Sequence, residues 1–313
     1  EVACKLQYPD MSSAVESDVG QLKGLLGLFK RMDGSIDPTD MVQEIADRLR
    51  EELDYGREAR HMRLYGDMLG GKDFVTIPRP VEELSTDRLL TMEWMDGQPL
   101  SAFEDASQEV RNDIARKLYW TWWLPFTQHA VIHGDPHLGN YQVTEGGASL
   151  NLLDFGCIRI FPPKFVGGVV DLYRSRLADD FDASYAAYEK WGFQNLNREL
   201  VEVLNIWAGF IYGPLLDDRV RSVADGVAPG EYGRKEAFQV RRLLKEKGPV
   251  KIPREFVFMD RAAIGLGAAY LRLGAELNYH QLFEDSLQGF DEDALATRQA
   301  ETLARHGLGP EAA

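Results

Sequence analysis

The sequence predicts an α+β fold of two lobes, a small one mixing strands with helix and a larger one that is mostly helical. Three observations lead there. At 313 residues the chain exceeds the usual size of one hydrophobic core, and 44% of it is hydrophobic, enough to fill two. Up to Gly97, β-type runs alternate with helix-period stretches. Beyond Pro163 almost every segment has helical spacing. The expected boundary divides the chain into residues 1–97 and 98–313.

The opening run Val2-Ala3-Cys4-Lys5-Leu6-Gln7-Tyr8 reads as a strand closed by Pro9-Asp10. Because the chain starts on Glu1 at the edge of that strand, further chain is expected before it. Val15, Val19, Leu22, Leu25 and Leu26 recur at helical spacing. Asp37-Pro38-Thr39-Asp40 is a helix start, with Asp37 as cap and Pro38 at the first turn. Val42, Ile45, Leu49 and Leu53 continue the apolar stripe of one long helix, heavily charged from Arg48 to Arg60. Phe74–Ile77 and Arg88–Met95 read as strands, the second ending at the Asp96-Gly97 turn.

In the second lobe a helix is expected from Gln108 to His129. The short strands Tyr141–Val143 and Leu150–Leu153 then bracket the Glu145-Gly146-Gly147 turn. Helices are predicted over Asp171–Trp191, Glu199–Tyr212, Glu236–Lys247 and Phe256–Leu277, and the polar, Ala-rich tail after Asp291 reads as a fraying helix. The longest uncharged stretches, Leu118–Gly134 and Val203–Leu216, fall short of the roughly 20 apolar residues of a membrane span. No transmembrane segment is expected.

Composition narrows the function classes. Lys plus Arg is 35 against 50 Asp plus Glu, a net charge of −15 that opposes binding to nucleic acid. Cys4 and Cys157, far apart, make neither a disulfide framework nor a structural zinc site and suit a reducing, cytoplasmic-type compartment.

The chemistry is concentrated in His133-Gly134-Asp135-Pro136-His137-Leu138-Gly139-Asn140, followed fourteen residues after Asn140 by Asp154-Phe155-Gly156. Transfer of a phosphoryl group from ATP requires a carboxylate near the acceptor and hard oxygen ligands that hold Mg²⁺ against the phosphates. Asp135 is the candidate catalytic carboxylate, and Asn140 and Asp154 are the candidate metal ligands. His133 and His137, with no third His or Cys nearby, read as structural rather than metal-binding. Such a site also needs a strand lysine paired with a helix carboxylate. Lys5 fits the first part, and Glu51, Glu52, Asp54 and Glu58 are candidates for the second. Met92-Glu93-Trp94-Met95 falls where the lobes join, so the backbone of Glu93 and Met95 is placed to meet an adenine edge. The aromatic cluster Tyr119, Trp120, Trp122, Trp123 and Phe126 reads first as core and second as a prenyl-chain or bilayer contact.

At these residues the chain resembles the UbiB family of atypical kinase-like proteins, and most closely its coenzyme Q biosynthesis branch. The matching pieces are VACKLQYP at 2–9, EELDYGREA at 51–59, LLTMEWMDG at 89–97, HGDPHLGN at 133–140 and LLDFG at 152–156. The resemblance implies a bilobal protein-kinase-like fold whose small lobe is truncated at its N-terminus. It also implies an ATPase or unorthodox kinase using ATP (or ADP) and Mg²⁺ in support of ubiquinone biosynthesis. In that pattern Lys5 meets the phosphates, Glu52 pairs with it and Asp54 is the second acid of the E-x-D element beside the nucleotide. The Ala-rich loop and K-x-G-Q helix that family members carry before the lysine strand are not within these residues. The partners implied are a nucleotide, a lipid or quinone-pathway small molecule, quinone-biosynthesis proteins and the surface of an inner membrane. Two other readings stay open: a small-molecule phosphotransferase of the aminoglycoside or choline type, and a non-catalytic pseudokinase scaffold. Gly134 stands where many protein kinases have arginine, and no A-P-E segment follows Gly156, so a small molecule, a lipid or water is expected as acceptor rather than a protein.

Overall fold

The structure, a computed structural model, describes residues 1–32, 46–47, 49–225, 238–240, 242–243 and 253–309. The Asp37–Asp40 helix start, Val42 and Ile45, and most of the helix expected over 236–247 lie outside the described residues.

Strand β1 (Val2–Leu6) pairs antiparallel with β3 (Leu89–Glu93), with Lys5 opposite Leu90. Strand period 2 puts Ala3, Lys5 and the buried Gln7 on the inward face and leaves Val2 and Leu6 exposed. Helix α1 (Met11–Met32) follows β1, and α2 (Tyr55–Leu69) packs its buried Tyr55, Glu58, His61, Met62 and Tyr65 inward. The single charged helix expected through Arg60 is broken. Residues 52–54 form a turn, and Asp54 starts α2 afresh by accepting the Arg57 N–H at 2.8 Å, as an N-cap does.

A four-stranded sheet has the order β2 (Val75–Thr76), β7 (Leu150–Leu152), β6 (Tyr141–Val143), β4 (Gln98–Pro99). β6 and β7 form the expected hairpin, β4 adds antiparallel to β6, and β2 runs parallel to β7. Helix α3 (Gln108–His129) buries Leu118, Tyr119, Trp122 and Phe126 and ends on Ala130 in a left-handed conformation, φ 53°. It feeds β5 (Val131–His133), which pairs antiparallel with β8 (Ile158–Ile160), so the two ends of the 133–158 segment are held side by side.

The helical layer consists of α4 (Pro163–Leu177), α5 (Phe181–Trp191), α6 (Arg198–Tyr212), α7 (Arg254–Leu273), α8 (Tyr279–Ser286) and α9 (Glu292–Arg305). The helix predicted over 171–191 is two. Asp179 takes φ 51° and Asp180 caps α5 by accepting the Ala183 N–H, two roles that suit aspartate. Over its described residues the tail does not fray. Leu295 and Leu303 of α9 are buried, the Gln299 amide donates to the carbonyls of His129 and Phe161, and Arg305 pairs with Asp67 of α2. The aromatic cluster of α3 is core: Trp123 packs edge-on against Trp122 and against Phe283 of α8, both at 4.9 Å between ring centres. Among the described residues one helical stretch, Arg198–Leu216, is long and apolar enough by composition to cross a membrane, and 44% of it is buried against the rest of the fold.

Candidate nucleotide and metal site

The site forms where β1, the start of α2, the 133–140 loop and the turn at 154–156 meet. Lys5 Nζ lies 3.0 and 2.8 Å from the two carboxylate oxygens of Glu58 and 3.5 Å from Asp154 Oδ2. Its partner is therefore Glu58, and the expected pairing with Glu52 is not the one the fold makes. The cause is the break at residues 52–54. With Asp54 as cap, Glu58 lies one turn into α2 on the buried stripe facing β1, whereas Glu52 stays in the preceding turn and is more open to solvent. Glu52 is nevertheless at the site: a Cβ on Gly156 would lie 3.3 Å from Glu52 Oε2 and 3.4 Å from Asp154 Oδ1. The Asp54 carboxylate serves as helix cap, which positions the turn carrying Glu52.

Electrostatics binds these groups into one unit. Burial alone would lower the Lys5 ammonium, but the carboxylates of Glu58, Asp154 and Glu52 outweigh it and hold the lysine charged above its ordinary range. Glu58, 2% exposed, is pushed up by burial and by Asp154, with Lys5 opposing. Partial burial and the negative charge of Asp154 push Glu52 up as well. Three carboxylates around one lysine favour a further cation.

The wall formed by the 133–140 loop is built on backbone. His133 is buried; the Asp135 N–H donates to its Nδ1 at 3.3 Å and its Nε2 bonds the Asp154 carbonyl at 2.7 Å. The ring thus accepts at Nδ1, donates from Nε2 and stays neutral, since burial lowers its pKa. Trp122 Nε1 donates to the His133 carbonyl at 3.0 Å. Gly134 N–H donates to the Cys157 carbonyl at 2.7 Å, and a Cβ there would sit 2.8 Å from that same oxygen, so the packing of β5 against β8 excludes any side chain. The Asp135 side chain is exposed toward solvent.

The donor set suits Mg²⁺. Asn140 Nδ2 donates to the Asp135 carbonyl at 2.9 Å, which leaves the amide oxygen as the atom able to meet a cation. Asp154 Oδ1 accepts the Gly156 N–H at 2.9 Å, and its Oδ2 faces Lys5. Among the described residues no group of three or more His, Cys, Asp or Glu could hold a metal. A magnesium ion here would be held by Asn140 and Asp154 as oxygen ligands and would offset the charge of bound phosphates, with phosphate oxygens and water as its other ligands. His137 caps the 138–140 turn by accepting the Gly139 N–H.

At the end of β3 the Glu93 N–H donates to the Arg79 carbonyl at 3.0 Å, so it is committed within the protein. Of the two backbone positions expected to read adenine, Met95 and the Glu93 carbonyl remain. Three further residues hold the site and were not singled out from the sequence. His61 Nδ1 bonds the Phe155 carbonyl at 3.1 Å, and burial lowers its pKa to about 4. Arg159 Nη2 bonds Glu51 Oε2 at 2.6 Å, and Arg57 pairs with Glu51 Oε1, fastening the acidic turn to β8. Glu58 and His61 do leave a signal, since both interrupt the apolar stripe Tyr55, Met62, Tyr65 of α2. Arg159, in an otherwise apolar strand, is legible only as an anomaly.

Comparison with known proteins gives concordant results. The profile of the ABC1 atypical kinase-like domain matches residues 1–187. The mitochondrial atypical kinase COQ8B of Rattus norvegicus is 26% identical over 295 residues, covering 91% of this chain and 54% of that protein. The mitochondrial atypical kinase coq-8 of Caenorhabditis elegans is 32% identical over 190 residues, covering 58% of this chain and 24% of the relative. The chain thus spans about half of the rat protein and a quarter of the worm protein. Among solved structures, Rv3197 of Mycobacterium tuberculosis, in complex with erythromycin, has the same fold. It superposes with a TM-score of 0.69 at 22% identity, over 92% of this chain and 72% of that one.

Proposed function

The chain belongs to the ABC1 atypical kinase-like family, also called UbiB, and from that premise we propose that it binds Mg²⁺-ATP between the β1–β3 pair and the 133–140 loop. There it hydrolyses the nucleotide or passes its terminal phosphoryl group to a small acceptor, in support of coenzyme Q biosynthesis. The observation that carries the reading is Lys5, bonded to Glu58 and 3.5 Å from Asp154. A strand lysine paired with a helix glutamate beside a metal-binding aspartate is the arrangement that positions ATP phosphates. Lys5 would contact those phosphates, Asn140 and Asp154 would hold the ion, and Asp135 would accept the proton of the attacking hydroxyl or water. Glu52 and Asp54 line and shape the near edge of the site. Adenine would meet Met95 and the Glu93 carbonyl.

Water or a compact acceptor fits better than a peptide. Only six residues, 157–162, separate Gly156 from α4, and three of them form β8, which leaves no extended segment on which a peptide could lie. Similarity to mitochondrial atypical kinases supports the further proposal that this protein's partners are quinone-biosynthesis proteins at the face of an inner membrane.

The test is ADP release from Mg²⁺-ATP by purified protein, with and without added lipids or phenolic acceptors. We expect release that Asp154→Asn and Asp135→Asn each lower by about 10²-fold or more. Equal release by wild type and Asp154→Asn would sink the proposal.

A further inference from the structure

Away from that site, the helical layer encloses a cavity of about 430 Å³ between α6 and α7, within the range of small-molecule sites, about 300–1,000 Å³. Its wall is aromatic and aliphatic, with Trp123 of α3, Trp191 of α5 and Trp207 of α6 among the lining residues. Ile264 lines it while remaining 47% exposed, so the cavity opens to solvent.

Polar groups, Asp260 and several tyrosine hydroxyls, break this wall, and two of them matter most. Asp260 is the only charged side chain among the described lining residues. Its Oδ1 accepts the Trp207 Nε1–H at 2.7 Å, the one hydrogen bond described for this carboxylate. Burial pushes the group up to about 6, which still leaves it largely ionised at neutral pH. Tyr270, 5% exposed, also lines the cavity, and its hydroxyl has no hydrogen-bond partner among the described residues. A buried polar atom without a partner costs stability unless something else satisfies it.

An apolar cavity with few polar points is the form of a small-molecule site. Here the points are a carboxylate beside indole rings and a phenolic hydroxyl. A carboxylate in such a wall selects against anions, and aromatic faces add attraction for a cation. We propose that this cavity binds an amphipathic amine, whose apolar body fills the aromatic pocket while its ammonium group pairs with Asp260. This site is separate from the nucleotide site, and the inference does not depend on ATP being bound there.

The probes are decylamine and decanol, of equal chain length, each titrated below its aggregation threshold into the intact protein and followed by calorimetry. The amine is expected to bind saturably at one site per chain and about tenfold more tightly than the alcohol, the effect of one ion pair of ~1.4 kcal/mol. Asp260→Asn should bring the two affinities together while leaving the thermal unfolding transition in place. Ala263→Trp, which fills the cavity from α7, should remove binding of both. The proposal is overturned if neither probe saturates, if the two bind equally to wild type, or if the preference for the amine survives in Asp260→Asn.

Discussion

On one side of the candidate site His133 is buried with both ring nitrogens bonded to backbone, and Gly134 lies against the Cys157 carbonyl. On the other side, β1 meets α2 through charge, from Lys5 to Glu58 and onward to Asp154, with the Lys5 side chain 31% exposed. The first wall is a packed lattice of neutral bonds and keeps its shape whatever occupies the site. The second is held by groups whose protonation and pairing respond to a neighbouring ion or phosphate. A site that must admit and release a charged ligand is well served by one rigid wall and one responsive wall.

The contrast can be broken most sharply at Gly134. Gly134→Val forces branched carbon onto a backbone oxygen that even a Cβ would approach to 2.8 Å, and is expected to cost about 3 kcal/mol in urea unfolding. A loss under about 1 kcal/mol would show that this wall yields.

Acid should come next. His61 and His129 each have a pKa lowered to about 4 by burial, so between pH 6.5 and 4 the unfolded chain binds more protons than the folded one. Stability is present above that window and falls as pH drops through it, by about 2 kcal/mol per histidine between pH 7 and 5. The raised carboxyls of Glu58 and Glu52 act in the opposite direction, becoming less unfavourable as they protonate. His61→Asn retains a donor for the Phe155 carbonyl and should flatten the profile, measured by urea midpoints across pH; an unchanged slope would remove His61 from this account.

The choice between the two glutamates sharpens the charged wall. Glu58→Ala strips Lys5 of its principal partner and leaves the Phe155 N–H without its acceptor, for an expected loss of about 1–2 kcal/mol. Glu52→Ala, at an exposed position, should change stability by less than about 0.5 kcal/mol while altering nucleotide binding. The opposite order of stabilities would reinstate Glu52 as the lysine's partner.

What could be read in the sequence followed from local rules. The convergence of Asp135, Asn140 and Asp154 is legible because a loop, a hairpin and a turn bring together residues close in sequence, and the β6–β7 pairing is the expected one. Lys5 was legible from its strand. Its partner was not, because the choice among Glu51, Glu52, Asp54 and Glu58 depends on where α2 begins, and a single cap at Asp54 decides it. The same kind of signal, Asp180 as cap, splits the helix expected over 171–191. The docking of α9 is long-range: Gln299 meets carbonyls of residues 129 and 161, which no local pattern reports.

Whether Asp154 and Lys5 hold Mg²⁺-nucleotide, as proposed, is open to a thermal unfolding measurement that requires no knowledge of the acceptor. A ligand that binds only the folded chain raises its melting temperature, by about 2.7 kcal/mol of added stability at a hundred times its dissociation constant. Mg²⁺-ATP should raise the transition of the wild type, and Asp154→Asn should abolish the rise without lowering the unliganded transition by a comparable amount. An equal rise in both proteins, or none in the wild type, would contradict the proposal.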